Sequence, residues 1–396
     1  MGLSLDRDED SAYSAGEERR MTPRKRMMVA MGLGTPDRVP VMCQMSIGHL
    51  LLQTGLDPSA FWHSAGVYAD GLLRMRGIYG FDGILVSLHG HSPDWERGAA
   101  RVCREQGGER VVWKNGDQTF FPVDGLPVHR PGQRREFPSL AAFDPDSLAD
   151  TMTYIPVSPR LRFSLDPAHL FDVFDVVRSA AGNDFSVHGE VTSPLDYFLD
   201  LFGFEQALMG FVEDRARSLA VLQKLAGAIV PLALGMLGQG ADAVKISSPY
   251  AGAGFLSPEF YRTFVLPFES QIALAVRVAG GHVYLHTCGD IHDRLELMAD
   301  SGASGIECLD PPPLGRTDLE DAKRRVGGRI FIKGNIDPVH TLLEGDPVRV
   351  RRDALRRIEA GGPDGYILSS ACSIAPRTRR ENVAVLREAV EESRTA

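Results

Sequence analysis

Eight short runs rich in β-branched and aliphatic residues, most of them separated by longer amphipathic stretches, constrain this chain more than any other feature. They fall at 39–43, 82–88, 185–190, 243–247, 282–286, 305–309, 330–333 and 366–370. Strands covered on both faces read as near-continuous apolar runs, and their alternation with helical periodicity is the pattern of βα units around a parallel sheet. Segments 258–278 and 349–360 carry that helical periodicity. Eight units close a (β/α)8 TIM barrel, so the expected fold is α/β with a single barrel. A doubly wound open sheet would alternate in the same way. Its dinucleotide loop needs Gly-x-Gly-x-x-Gly after the first strand, whereas Gly32-Leu33-Gly34 precedes it here.

One gap, about 90–180, is too long for a single crossover helix. Within it 101–103, 110–114 and 118–123 alternate around Gly107-Gly108 and Asn115-Gly116, which are turn signals for a small antiparallel β-meander. The expectation is an insertion in the loop after the second strand, placed to roof the catalytic face. Residues 1–20 are polar, with Asp6, Arg7, Asp8, Glu9 and Asp10 and no apolar periodicity, so they are expected to form a disordered tail ahead of a barrel domain over 21–396.

The chain's 396 residues, 43% apolar, can bury one large core, and a net charge of -9 supplies no basic field to draw it onto nucleic acid or anionic lipid. The longest apolar run, 221–237, is broken by Gln223, Lys224, Gly227 and Pro231 and falls short of a clean membrane span. No secretory signal opens the chain, and a cytoplasmic location is expected. Five cysteines without regular spacing suit reduced thiols better than a disulfide framework.

Parallel barrels carry their chemistry at strand C-termini. The fifth run ends in His286-Thr-Cys288-Gly289-Asp290, and alternate residues of an extended segment share a side, so His286 and Cys288 can reach one ion. The eighth runs into Ser369-Ser370-Ala371-Cys372, which closure brings to the same mouth. One imidazole and two thiolates suit zinc and leave a place for substrate. Glu190, ending the third run, is the best candidate for a fourth ligand; otherwise it is a carboxylate bonded to nearby backbone. Glu307 and Cys308 compete for that role, and strand alternation allows at most one of them to face the mouth. Lys333, Asn335 and Asp337 follow the seventh run and can orient substrate or a ligand, with a helix cap as the alternative for Asp337. His89 and His91 either line the pocket or are solvated.

Asp37-Arg38-Val39-Pro40-Val41, Gly189-Glu190-Val191-Thr192-Ser193-Pro194, His286-Thr-Cys288-Gly289-Asp290, Gly334-Asn335-Ile336-Asp337-Pro338, and Cys372-Ser-Ile-Ala-Pro376 followed by Glu381-Asn382-Val383 together resemble the uroporphyrinogen decarboxylase superfamily. The resemblance covers about 21–392 and implies a single (β/α)8 barrel. The decarboxylase branch carries an arginine-rich segment after the first strand. Here that stretch reads Cys43-Gln44-Met45-Ser46-Ile47-Gly48-His49. The aspartate of that branch after the second strand is also missing, with Ser87-Leu88-His89-Gly90 in its place. The His-x-Cys with a distant Cys is similar instead to the methylcobamide:thiol methyltransferases of the coenzyme M type. That branch implies zinc on His286, Cys288 and Cys372 with Glu190 as fourth ligand, a thiol held as zinc thiolate, and methyl transfer with a corrinoid. No corrinoid-binding domain is visible, so the expected partners are a thiol and a free methylcobamide or separate corrinoid protein. Decarboxylase or lyase chemistry on a small carboxylated substrate is the alternative, and a metal-binding accessory protein a third.

Overall fold

The computed structural model describes residues 20–133, 136–158 and 161–394, so nearly all of the expected tail lies outside the described residues. The described residues form thirteen strands: β1 (Gly83–Val86), an antiparallel set β2 (Ala99–Glu105), β3 (Gly108–Trp113), β4 (Gln118–Pro122) and β5 (Val128–Arg130), and a pair β6 (Tyr154–Ser158) and β7 (Leu161–Ser164). After them come β8 (Ser186–Thr192), β9 (Ala243–Ser247), β10 (His282–Thr287), β11 (Gly305–Cys308), β12 (Phe331–Ile336) and β13 (Tyr366–Ser370). β1 and β8 to β13 form one seven-stranded parallel sheet in chain order, curled into a barrel-like wall with helices packed outside it.

The first expected strand, 39–43, is not a ladder but a pair of isolated parallel bridges, Val41 to Leu368 and Met45 to Ile374. Its backbone nonetheless spans the sheet's two edges. Met42 N–H donates to Leu368 O and Leu368 N–H to Pro40 O on the β13 side, while Asp82 N–H donates to Val41 O on the β1 side. Pro40 has no N–H to give and Val41 N–H goes to the Asp82 carboxylate instead of a strand, which keeps the segment from counting as a full strand. The fully buried Asp82 also takes Arg38 Nη1 at 2.9 Å and pairs with the buried Arg26. One carboxylate thus ties the sheet's first strand to the segment that bridges its edges.

Crossover helices start where their sequences cap them. Ser193 accepts from Asp196 N–H ahead of helix Pro194–Phe202, with Pro194 at its first turn, and Ser46 does the same for His49 N–H ahead of Ile47–Thr54. Helix Arg215–Gly238 runs through Pro231 for 24 residues and is, among the described residues, the one long and apolar enough to cross a membrane. The breaks in its apolar run therefore do not exclude a span by length and composition, as the sequence had suggested. Here Val221, Leu222, Leu225, Ile229 and Met236 are buried in the core, each burial contributing about 1.5–3 kcal/mol.

Candidate metal centre

Strand register sets the centre. His286 on β10 lies between Ser247 of β9 and Glu307 of β11, and Glu307 lies beside Lys333 of β12. Glu307 Oε2 holds His286 Nδ1 at 2.9 Å, leaving Nε2 aimed at Cys288 Sγ, 3.3 Å away. Cys288 Sγ lies 3.6 Å from Cys372 Sγ, although 84 residues separate them. The donor atoms of His286, Cys288 and Cys308 all lie within 4.8 Å of one another. A tetrahedral ion with bonds of about 2.1–2.3 Å separates its ligand atoms by roughly 3.5–3.8 Å. The sulfur–sulfur contact of 3.6 Å falls in that range and the imidazole–sulfur contact of 3.3 Å lies slightly inside it, and an imidazole among three sulfurs is a donor set for zinc rather than for calcium or magnesium.

Cys308 and Glu307 both reach the centre, against the expectation that strand alternation admits one. Alternation holds only while the backbone stays extended, and it ends at Cys308, whose φ is 90°, followed by Leu309 at 58°. Asn335 Nδ2 donates to Leu309 O at 2.8 Å and Arg357 Nη1 donates to Asn335 Oδ1 at 2.9 Å, so Asn335 pins that left-handed turn. Asp310 Oδ2 accepts from Gly289 N–H at 2.7 Å and from the Cys308 thiol at 3.4 Å, joining the loops after β10 and β11.

The charges are balanced behind the sulfurs. Lys245 Nζ is 3.4 Å from both Glu190 Oε2 and Glu307 Oε2, and it also donates to Gln44 Oε1. Lys333 pairs with Glu307. Burial works against ionised Glu307, but Lys333 and Lys245 hold its pKa well below the carboxylate range. Burial and Lys245 likewise oppose a charged His286, yet the Cys288 and Cys372 sulfurs hold its pKa well above the ordinary value. Hydrogen bonding from Cys288 and then Cys308 holds Cys372 well below the usual thiol value.

The other expected residues lie nearby with different work. Glu190 faces a cavity of about 750 Å³ beside the centre and its Oε2 accepts no hydrogen bond, Lys245 standing 3.4 Å away. Asp337 accepts from Val339 and His340 N–H, the capping role, and also holds His340 Nδ1 at 2.8 Å. His89 lines the cavity; His91 is buried with both ring nitrogens unpartnered, so neither is solvated. Sequence reading missed Lys245, Asp310 and Asp196. Lys245 had a signal, a lysine inside an apolar strand with Val244 and Ile246 on either side.

The barrel-like α/β wall is the fold class, and sequence comparison supplies the family. Residues 138–393 match the uroporphyrinogen decarboxylase (URO-D) family, and the chain belongs to that family. The methylcobamide:CoM methyltransferase MtaA of Methanosarcina barkeri is 27% identical over 223 residues, 56% of this chain and 63% of that protein, so the match spans under two thirds of that relative's length. The MtbA enzyme of the same description from Methanosarcina mazei is 24% identical over 372 residues, 91% of this chain and 95% of that protein. The uroporphyrinogen decarboxylase of Gloeobacter violaceus is 30% identical over 172 residues, 43% of this chain and 47% of that protein. Among solved structures, a methyltransferase from Methanosarcina mazei superposes with a TM-score of 0.72 at 20% identity, covering 94% of this chain and 99% of that one. The MtaA and MtbA relatives support the methyltransferase branch of the family.

Proposed function

We propose that this chain is a zinc-dependent methyltransferase that moves a methyl group between a corrinoid and a thiol. The observation that carries the reading is the convergence of His286 Nε2, Cys288 Sγ and Cys372 Sγ from strands far apart in sequence. These three are the proposed ligands, with Cys308 or Glu190 completing the set. Zinc held there is a Lewis acid that lowers the pKa of a bound thiol below its free value of about 8.5. Glu307 fixes the imidazole so that Nε2, not Nδ1, meets the ion. Glu190, which lines the cavity, is the carboxylate that accepts the proton the thiol loses when it is not itself a ligand. Asn335 keeps the turn after Cys308 in place, and Asp337 anchors the next turn. The methyl donor or acceptor is a free methylcobamide or a separate corrinoid protein; as the S–C bond forms, the Co–C bond breaks and its electron pair stays on cobalt.

The same reading treats 21–396 as one cytoplasmic catalytic unit, an eight-stranded barrel in which 39–43 is the first strand and about 90–180 is an insertion over the mouth. Decarboxylation of a small carboxylated substrate is the second reading, favoured by the match to named decarboxylases. Against it, the segment after 39–43 offers no arginine: Gln44 is engaged with Lys245 and Ser46 caps a helix. Metal analysis of the purified protein, followed by methylcobalamin with a panel of thiols, separates the two. Zinc near one per chain and thiol-dependent loss of the methyl-cobalt absorbance are expected; zinc-free protein, or methylcobalamin untouched by every thiol, refutes the proposal.

A further inference from the structure

A second cavity, of about 480 Å³, lies apart from the one beside Glu190. Its walls are Pro311, Pro312 and Pro313 after β11, the turn Pro338–Leu343 after β12, and helix Pro347–Gly361. All of its lining residues fall within the described stretch 161–394. The helix supplies four arginines to it. Arg349, Arg352 and Arg356 recur at spacings of three and four, so one helical face brings three exposed guanidinium groups to the same wall. Arg357 joins them from inside, only 9% exposed.

Two carboxylates share the lining, and both are engaged. Asp337 accepts from Val339 and His340 N–H and holds His340 Nδ1. Asp353 Oδ1 accepts from Arg356 Nη2 at 2.8 Å and stands 3.4 Å from Arg357 Nε. Arg349 and Arg352 are the two guanidinium groups in the lining that neither carboxylate holds. A buried orphan points the same way. Arg357 Nε makes no hydrogen bond, and the arginine cannot swing out to find one without releasing Asn335, whose Oδ1 takes Arg357 Nη1 and whose Nδ2 pins the turn after Cys308. A buried ionised donor left without an acceptor is costly, and an anion in the cavity relieves it.

Guanidinium groups meet phosphate oxygens with paired, charge-assisted hydrogen bonds, and a concave wall of low polarity concentrates their field. The volume lies inside the range of about 300–1,000 Å³ usual for small-molecule sites, which leaves room for an organic body beside the phosphate. Asp353 Oδ2, buried and also without a hydrogen-bond partner, offers an acceptor for a hydroxyl on that body.

We propose that this cavity binds a hydroxylated phosphomonoester, its phosphate held by Arg349, Arg352 and Arg357 Nε. The assignment stands whether or not the metal centre transfers methyl groups. The test is calorimetric titration of the full chain, at fixed ionic strength, with glycerol 3-phosphate and with inorganic phosphate. Glycerol 3-phosphate should bind with a Kd of about 1 mM or tighter. Replacing both exposed arginines, Arg349→Ala with Arg352→Ala, should weaken it about tenfold or more at an unchanged melting temperature. Arg351→Ala removes the same charge from the same helix, but from a side chain that pairs with Glu388 and Glu392 outside the cavity, and should bind as wild type does. Absence of binding at about 10 mM ester, or an unchanged affinity in the double variant, overturns the proposal. An equal loss in Arg351→Ala overturns it too, since the anion would then feel only the general charge of the helix. Inorganic phosphate binding as tightly as the ester would show a site for bare phosphate and strike the hydroxylated body.

Discussion

His286 and Cys288 were legible as a pair because a two-residue spacing on a strand is a geometric statement in itself. Cys308 was legible only as a rival of Glu307, and not as reaching the centre together with it, because that joint reach depends on a left-handed backbone that a non-glycine residue rarely adopts and that Asn335 and Arg357, distant in sequence, hold in place. Glu307 makes the residue-scale prediction. In Glu307→Gln the imidazole loses its charged anchor and two buried lysines lose a counter-charge, so both zinc affinity and stability should fall. Adding Lys333→Met restores the balance of one lysine to one glutamate. The double variant should recover most of the melting temperature yet still bind zinc about 10–100-fold more weakly than wild type, read by competition with a chromogenic chelator. Recovery of both would mean that Glu307 is a structural charge and not a positioning residue. Asp196 supplies a second prediction at this scale. Its folded pKa, pushed up to about 8 by burial, exceeds the unfolded value of about 3.9, so the folded state holds the proton more tightly. Stability from this group is therefore present below pH 4 and is lost as pH rises toward 8. Asp196→Asn, which stays neutral, should gain in melting temperature relative to wild type between pH 5 and 8, by about 2 °C or more at the upper end. A difference that stays flat with pH would contradict the neutral carboxyl.

At the level of elements, the runs at 82–88 and after it coincide with parallel strands because both faces are buried and the apolar signal is continuous. The run at 39–43 carries the same signal but pairs through single bridges, since Pro40 lacks a donor and Val41 spends its N–H on a side chain. Composition cannot report that, because it depends on where Asp82 sits. In the region between β1 and β8, the three alternating runs lie in β2, β3 and β4, while β5 and the β6–β7 pair were unread: short strands of three to five residues give too few alternations to count. Asp82 carries the prediction here, since it joins elements rather than stabilising one. Asp82→Asn keeps the shape but leaves Arg26 and Arg38 with no shared buried counter-charge and weakens the hold on Val41 N–H. The cost should be about 3–5 kcal/mol in denaturant unfolding. A loss below 1 kcal/mol would show that the segment 39–43 closes the wall without that carboxylate.

For the molecule as a whole, the decisive fact is that β13 returns to β10 across a curled sheet, which is how Cys372 comes to lie 3.6 Å from Cys288. The barrel-like fold was readable from repetition alone, and it was the fold that made a cysteine 84 positions away a candidate partner. Which sulfurs finally surround an ion was not readable, because Cys308 and Cys372 approach Cys288 from different strands and the reach of each depends on the folded backbone. Cys372→Ser tests fold and chemistry together. Serine is nearly isosteric, and the surrounding Ala371 and Ser370 are already buried, so the barrel should stay folded. A hydroxyl, however, stays protonated at neutral pH and is a poor ligand beside a thiolate, so zinc affinity should fall by about tenfold or more. Zinc that binds the folded state alone also stabilises it, so chelation should lower the wild-type melting temperature and do so less in the variant. Thiol-dependent loss of the methyl-cobalt absorbance should fall far more than the melting temperature of the metal-free protein does. If Cys372→Ser instead keeps full zinc, full activity and an unchanged response to chelator, the ion is held by His286, Cys288 and Cys308, and the return of β13 serves the fold and not the chemistry.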